Sequence, residues 1–267
     1  MMKIGFIGLG NMGGSLARLV AQDERYRSEL LLANRSREKA EKIAAEVGGQ
    51  PVSNAEVFAQ AEVIFLGIKP AQFADMLAEY QEILEKRESL LLVSMAAGLN
   101  LEILEKLTPS HHRWIRIMPN TPVAVGEGVI TYALSPEANQ VDEDLLRELL
   151  SSAGLLVKLE EKQLDAATAL AGCGPAFVYL FIEALADAGV RAGLSRDISL
   201  ELANQTLLGA AKLGQVSGQH PAQLKDQVCS PAGSTIAGVA SLEENAFRGT
   251  VMAAVQAAYK RTQELGK

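Results

Sequence analysis

Three glycines near the N-terminus have the spacing of a dinucleotide-binding loop. Gly8, Gly10 and Gly13 lie in the segment IGFIGLGNMGG, which follows an apolar run and opens a stretch with helical periodicity. In such a loop the first glycine permits a tight turn, the second lets the backbone approach a pyrophosphate, and the third lets the helix pack close to the strand. The helix start adds free amides and positive potential. The sequence therefore predicts dinucleotide binding by this loop, including Asn11 and Met12 between the glycines.

The residues after the second expected strand select the cofactor. A loop that prefers NAD usually carries an acid there, about 20 residues beyond the glycines, which binds the ribose 2′-hydroxyl. This chain has Asn34, Arg35, Ser36 and Arg37 instead, and Glu29, the acid next to the strand, lies at the other end of that strand. Arg35 matches a 2′-phosphate, with Asn34 and Ser36 as neutral hydrogen-bonding neighbours. The pattern favours NADP over NAD, although Ser36 is also an ordinary helix start.

Three further loops follow expected strands, at 67–70 (GIKP), 96–98 (AAG) and 118–122 (MPNTP). Ligands of open α/β sheets bind at the carboxyl ends of the strands, so these loops should line one crevice. The predicted cofactor-binding residues in them are Lys69, Pro70, Ala97, Gly98, Pro119 and Asn120. Lys69 is a candidate for contact with phosphate, with substrate, or with solvent alone.

The second half of the chain offers no obvious general acid. It has no lysine between Gln163 and Ala211, the region where many two-domain hydroxy-acid reductases carry their proton donor. Reduction of a ketone forms an alkoxide that needs an acid, whereas hydride addition to a protonated imine gives a neutral amine directly. The absence of a general acid therefore favours a C=N substrate. The alternative is a C=O substrate that receives its proton through water or a threonine hydroxyl.

Neither a metal site nor a catalytic histidine is predicted. The sequence has no HxxE, no CxxC and no cluster of histidine and aspartate. His111 and His112 are adjacent, so they point apart on a strand or loop, and we predict surface positions for both.

These loops need an alternating framework to hold them. Apolar runs at 3–7, 30–33, 63–68, 90–94, 114–118 and 129–134 are mostly separated by helix-period stretches such as 37–47, 73–86 and 143–152. This alternation predicts an α/β N-terminal Rossmann-type doubly wound sheet. After about residue 162 nearly everything is typical of helix, with an interruption at 172–175 and new helices expected from Ser195, Pro221 and Ser234. We therefore predict a dinucleotide-binding domain over 1–160 and an all-α C-terminal domain over 161–267.

The overall composition is that of a soluble globular protein. The 267 residues are 48% hydrophobic and 21% charged, and a net charge of −7 excludes nucleic acid as the main partner. Two cysteines cannot form a disulfide framework and no signal-peptide pattern is present, so we expect a cytoplasmic protein. The most apolar window, 176–186, is interrupted by Glu183 and is interpreted as too short to cross a membrane.

Several C-terminal helices are apolar almost all round. In the stretch 253–258 the only polar residue is Gln256. A helix without a polar face needs a cover larger than its own small domain. We therefore expect part of this domain to be buried against a second copy of the chain.

Five blocks carry a family resemblance: IGFIGLGNMGG at 4–14, IKP at 68–70, RIMPNTP at 116–122, AGCGPAFVY at 171–179 and QLKDQVCSPAGSTIAGVASLE at 223–243. They resemble those of pyrroline-5-carboxylate reductases, the enzymes of the last step of proline biosynthesis. The resemblance covers essentially the whole chain, and the last block is its most specific part.

The resemblance implies NADPH-dependent hydride transfer to the C=N of 1-pyrroline-5-carboxylate, giving L-proline. It implies substrate binding by a loop whose residues here are Ser230, Gly233, Ser234 and Thr235. The amides of Gly233 and Ser234 would face the carboxylate, and the hydroxyl of Thr235, the catalytic residue, would face the ring nitrogen. Ala232 stands where the family often has a second glycine. The resemblance also implies a homodimer formed through the helical domains, often assembled into a larger ring.

Two other functions stay open at this point. One is a related NADP-dependent reductase of another cyclic imine or of a hydroxy acid, and the missing lysine argues against the hydroxy acid. The other is a dinucleotide-binding sensor without chemistry, which no sequence feature favours.

Overall fold

Eight short strands form one sheet in the N-terminal part of the chain. In the computed structural model, which describes residues 2–265, they are β1 (Ile4–Ile7), β2 (Leu30–Ala33), β3 (Gln50–Pro51), β4 (Val63–Leu66), β5 (Leu91–Ser94), β6 (Arg113–Pro119), β7 (Gly128–Leu134) and β8 (Gly154–Lys158). Their spatial order is β3-β2-β1-β4-β5-β6-β7-β8. All neighbouring pairs are parallel except β6 and β7. The order runs outwards in both directions from β1 and β4, so the predicted Rossmann-type doubly wound sheet is confirmed.

The strands β3, β7 and β8 differ from the expectation. The connection between β6 and β7, residues 120–127, holds only a short 3₁₀ helix at Thr121–Val125. Parallel neighbours need a crossover of a dozen or more residues, so β7 runs antiparallel to β6. Two edge strands were not predicted: β3, which has two residues, and β8, which lies at the other edge of the sheet.

Alternating side chains of the central strands fill both faces of the sheet. On one face the rings of Phe6 and Phe65 stack with their centroids 4.7 Å apart, and on the other Ile7 and Leu66 pack with Trp114. The covering helices are α1 (Asn11–Val20), α2 (Glu24–Arg27), α3 (Arg37–Val47), α4 (Asn54–Gln60), α5 (Phe73–Glu79), α6 (Gln81–Lys86), α7 (Leu101–Lys106) and α8 (Gln140–Leu149). Because helices cover both faces of the sheet, the side chains on both faces of β1, β2 and β4 are apolar.

After the sheet the described chain is helical, as predicted. The helices are α9 (Leu164–Ala167), α10 (Gly174–Arg191), α11 (Arg196–Ser217), α12 (Pro221–Gln227), α13 (Ser234–Glu244) and α14 (Phe247–Leu265). A π-helical turn at Thr168–Gly172 lies between α9 and α10. The hydroxyl of Ser195 accepts a hydrogen bond from Ile198 N and caps α11.

Contacts between residues divide the chain into two compact units. One contains the residues up to Cys173 together with the chain from Ala258 onward, and the other is Gly174–Ala257. Leu164 is fully buried among the side chains of the sheet's core, which explains why the start of the helical part belongs to the first unit. The domain boundary after residue 160 stays a prediction based on secondary-structure content.

The helices of the second unit leave large apolar side chains exposed. The exposed fractions are 60% for Tyr179, 66% for Leu180, 76% for Val216 and 67% for Met252. The helical stretch Glu161–Arg191, with a mean hydropathy of 1.7, is long and apolar enough to cross a membrane by length and composition alone. The interpretation of this region as too short is therefore wrong, because the π-helical turn connects α9 to α10 in one helical stretch.

His112 is buried rather than at the surface. Its side chain lies between α6 and the start of β5, where Nδ1 accepts a hydrogen bond from Leu90 N at 3.2 Å and Nε2 lies 3.1 Å from Leu84 O. Burial, together with repulsion from His111, lowers the pKa of His112 to about 4. The predicted surface position is wrong for His112, whereas His111 is exposed as predicted.

Candidate active site

A crevice of about 680 Å³ opens where the order of the strands reverses, at the carboxyl ends of β1, β2 and β4. Ligands of doubly wound sheets bind at this position. The structure brings six of the predicted cofactor-binding residues to the lining of this crevice: Gly8, Gly10, Asn34, Arg35, Ser36 and Lys69.

The glycine loop has the geometry that its spacing predicted. Gly8 has a φ of +90°, and a Cβ on Gly13 would lie 2.1 Å from the carbonyl oxygen of Gly8, so only glycine fits at either position. A Cβ on Gly10 would meet nothing within 4 Å, and no side chain caps the helix α1 that begins at the next residue. Open space and an uncapped helix start suit a pyrophosphate.

Asn34 fastens the glycine loop to the end of β2. Its Oδ1 accepts a hydrogen bond from Leu9 N at 3.0 Å, and its Nδ2 donates to Ser36 O at 3.2 Å. Asn34 was predicted only as a direct cofactor contact, and in the structure its side chain positions the glycine loop. The sequence could have indicated this role, because asparagine side chains often form hydrogen bonds with the backbone at turns.

Arg35 and Ser36 are exposed at the rim of the crevice. Arg35 makes no ion pair or side-chain hydrogen bond within residues 2–265, and the Ser36 hydroxyl does not cap α3. By contrast, Arg37 pairs with Glu41 at 3.0 Å on the same helix. Both Arg35 and Ser36 are thus free to bind an anion.

Several residues of the crevice were not predicted from the sequence. They are Ile7, Lys39, Asn54, Gln72, Met76 and Glu79, whereas Gly67 and Ile68, which also line the crevice, belong to the loop 67–70 that was expected there. Lys39 lies three residues after Ser36 in α3, and residues at that spacing share a helix face. Asn54 begins α4 after the short strand β3, which had no clear apolar run to indicate it.

The loops after β5 and β6 do not contribute to the crevice lining. Gly98 adopts a left-handed φ of +84°. The side chain of Asn120 accepts a hydrogen bond from Val129 N at 2.8 Å and donates to Ala171 O at 3.0 Å, so it ties strand ends to the π-helical turn. The predicted cofactor contacts outside the crevice lining stay predictions: Asn11, Met12, Gly13, Pro70, Ala97, Gly98, Pro119 and Asn120. In the part of the chain that the structure describes, no group of three histidine, cysteine or acidic residues could hold a metal ion.

In the second unit, the loop 230–235 forms a turn that opens α13. Ala232 has a left-handed φ of +58°, and Gly233 N donates to Ser230 O at 3.0 Å. The Gly233 amide is therefore not free for a carboxylate, contrary to the prediction. The amides of Ser234 and Thr235 lie in the first turn of α13, which no side chain caps, and both residues are exposed.

Comparisons with known proteins agree over the whole chain. Residues 161–265 match the family of pyrroline-5-carboxylate reductase dimerisation domains, and residues 3–98 match the coenzyme F420-dependent NADP oxidoreductase family. The pyrroline-5-carboxylate reductase of Pisum sativum is 43% identical over 98% of this chain and 95% of its own, and that of Glycine max is 45% identical over the same shares. A crystal structure of the Plasmodium falciparum pyrroline carboxylate reductase with NADP bound superimposes with a TM-score of 0.89 at 37% identity, covering 100% of this chain and 98% of that one.

A Rossmann-type sheet with a glycine-lined crevice, followed by a helical part, defines a dinucleotide-dependent oxidoreductase. The identities of 43% and 45% over nearly the full chain then fix the relationship. This chain belongs to the pyrroline-5-carboxylate reductase family.

Proposed function

We propose that this chain reduces the C=N bond of 1-pyrroline-5-carboxylate to L-proline with NADPH, the last step of proline biosynthesis. The observation that carries the proposal is its 43% identity, over 98% of its length, to a plant enzyme named for this substrate. The reaction needs a site for a dinucleotide and a site for a small carboxylate. The crevice and the loop 230–235 have the chemistry for these two tasks.

The crevice suits NADPH. Open space at Gly10 and the uncapped start of α1 accommodate a pyrophosphate, while Arg35 and Ser36 offer a cation and a hydroxyl to a 2′-phosphate. Bound NADPH supplies the hydride for the imine carbon. The protein's part is then to orient both reactants, which accounts for a large share of catalysis in such reactions.

The loop 230–235 suits the zwitterionic substrate. The first-turn amides of Ser234 and Thr235 supply hydrogen-bond donors and the positive end of the α13 dipole to the carboxylate. The Thr235 hydroxyl would face the ring nitrogen, and Ser230 would close the other side of the loop. A protonated imine that accepts hydride becomes an amine without a further acid, so a site with few titratable groups is sufficient.

The Thr235 role is tested by substitution. Thr235→Ala should lower kcat by roughly 10- to 100-fold, the range for losing one hydrogen bond to a charged group. The dissociation constant of NADPH should stay within about twofold, because the cofactor crevice lies in the first unit. Thr235→Ser keeps the hydroxyl and should retain most of the activity; equal losses in Thr235→Ala and Thr235→Ser would remove the hydroxyl from the mechanism.

The substrate is tested by following NADPH oxidation with three compounds. Turnover should be fastest with pyrroline-5-carboxylate, slower with a six-membered cyclic imine and absent with a keto acid. Turnover on the keto acid alone would point to a hydroxy-acid reductase, and NADPH binding without any turnover would point to a sensor.

We further propose that the chain works as a soluble, cytoplasmic homodimer formed through its helical part, with a ring of dimers as the larger assembly. Two observations support this: residues 161–265 match a dimerisation family, and Tyr179, Leu180 and Met252 are each at least 60% exposed in the single chain. A monomer rarely leaves so much apolar surface in water. A second copy would also cover the apolar face of α10, which accounts for its hydropathy without a membrane.

A further inference from the structure

Lys39 lies at the junction of two neighbouring pockets. Besides the crevice, a second pocket of about 330 Å³ opens beside the glycine loop, and its lining includes Lys42 and Arg18. Gly10 and Lys39 are the two residues shared by both linings. The Lys39 side chain therefore borders the glycine loop and also the rim that carries Arg35.

Two of the arginines in this region are already paired with carboxylates. Arg37 pairs with Glu41 at 3.0 Å, and Arg18 forms short hydrogen bonds with the carboxylate of Glu46. Lys39, like Arg35, makes no ion pair or side-chain hydrogen bond within residues 2–265. Arg35 and Lys39 are thus the uncommitted cations on the β2–α3 side of the crevice.

We propose that Lys39 is a specificity-determining residue that binds the 2′-phosphate of NADPH together with Arg35. The proposal rests on the proposed use of NADPH. A phosphate dianion takes several charge-assisted hydrogen bonds, and two cations on one rim satisfy it better than a single guanidinium. The Ser36 hydroxyl, free at the start of α3 and three residues before Lys39, adds a neutral donor to the same helix face. NADH lacks the phosphate and would gain nothing from Lys39.

Calorimetric binding to the full-length protein tests this role without relying on activity. The probes are NADPH, NADH, adenosine 2′,5′-bisphosphate and 5′-AMP. Lys39→Gln should weaken the binding of NADPH and of the bisphosphate by about tenfold, the loss expected for one charge-assisted contact, while NADH and 5′-AMP change less than twofold. The matched control is Lys42→Gln, which removes a lysine that lines only the second pocket and should change no dissociation constant by more than twofold.

The outcomes separate this role from the proposed function. If Lys39→Gln keeps the wild-type ratio of NADPH to NADH affinity, or if both lysine variants weaken NADPH equally, the specificity role is overturned while the use of NADPH stands. If the wild-type protein binds NADH as tightly as NADPH, the proposed cofactor preference and the Lys39 role are overturned together.

Discussion

Ala232 is one of two alanines, with Ala246, that adopt a left-handed backbone conformation within residues 2–265. Its φ of +58° lies in the left-handed region, where a Cβ costs roughly 1–2 kcal/mol. It directly precedes Gly233 and the helix start at Ser234, so the strain lies in the proposed substrate loop. Strain of this kind persists where the surrounding structure fixes the backbone, often at binding sites.

Replacing Ala232 by glycine should stabilise the protein. Relief of the left-handed strain exceeds the extra entropy of glycine in the unfolded chain, so Ala232→Gly should raise the free energy of unfolding by about 0.5–1 kcal/mol. The measurement is denaturant unfolding at fixed protein concentration. Ala237→Gly, at an ordinary helical position of α13, is the matched control and should lower the same quantity by about 0.5–1 kcal/mol. Two changes of the same sign would contradict this account of the strain.

The buried imidazole of His112 should make stability depend on pH. Its Nδ1 accepts from Leu90 N, which only an unprotonated nitrogen can do, and its pKa of about 4 lies below the ordinary value near 6.5. The unfolded chain therefore takes up a proton first as the pH falls. The His112 contribution is complete above pH 6.5 and is lost progressively down to about pH 4, by roughly 3 kcal/mol in total.

The check compares unfolding free energies between pH 7 and pH 4. His112→Gln should flatten the pH dependence relative to the wild type, whereas His111→Gln, which removes only the weaker repulsion on His112, should flatten it by a smaller amount. A wild-type profile that His112→Gln does not alter would place the acid sensitivity in other groups.

At the scale of elements, the strand β6 holds the start of the helical part in place. Arg116 on β6 is 2% exposed, and its guanidinium donates to Glu161 Oε1 at 2.7 Å and to Asp165 Oδ1 at 3.3 Å. Asn120, just after the same strand, donates to Ala171 O at 3.0 Å. The ion pairs of Arg116 and the hydrogen bond of Asn120 thus hold both ends of the segment 161–171, which leads into α10.

Loss of the buried cation should be costly. Arg116→Met removes a charge that both carboxylates face and should lower the free energy of unfolding by about 3 kcal/mol. The control is Arg37→Met, which breaks an exposed pair with Glu41 and should change it by less than about 0.5 kcal/mol. Chemical denaturation measures both, and similar values for the two variants would mean that the Arg116 cluster contributes no more than a surface pair.

Elements were predictable where their pattern was strong. The central strands and the helix α3 lie where their apolar periodicity placed them, because each has a long, unmixed signal. Edge strands such as β8 face fewer neighbours and carry a weaker pattern, and the break between α5 and α6 at Tyr80 has no glycine or proline to announce it.

At the scale of the whole molecule, the exposed apolar helices suit a dimer interface. We therefore expect the free energy of unfolding to depend on protein concentration. If a dimer unfolds to two chains, a tenfold rise in protein concentration stabilises each dimer by about 1.4 kcal/mol, which corresponds to an increase of about 1 °C in Tm for two chains of this size. Scanning calorimetry over a hundredfold range of concentration measures the slope.

Sedimentation of two variants identifies the surface involved. Met252→Glu places a charge on an α14 side chain that is 67% exposed and should shift the protein towards monomer. Val141→Glu changes a residue of similar exposure, at 74%, on α8 of the sheet unit and should leave the assembly intact. Dissociation by Val141→Glu but not by Met252→Glu would locate the interface elsewhere.

The sequence by itself determined the class of fold, the glycine loop and the family, because each depends on residue types at short spacing. A glycine is needed where the backbone turns tightly or where another group approaches it closely. The spacing of Gly8 and Gly13 in the sequence is sufficient to recognise this requirement. Only the tertiary structure decided which polar groups are already engaged. It showed Asn34 bonded to Leu9 and Ser36, the Gly233 amide bonded to Ser230, His112 buried, and Lys39 at the rim of the crevice. A hydrogen bond or a burial depends on partners brought together by folding, and the spacing of residues in one chain does not contain that information.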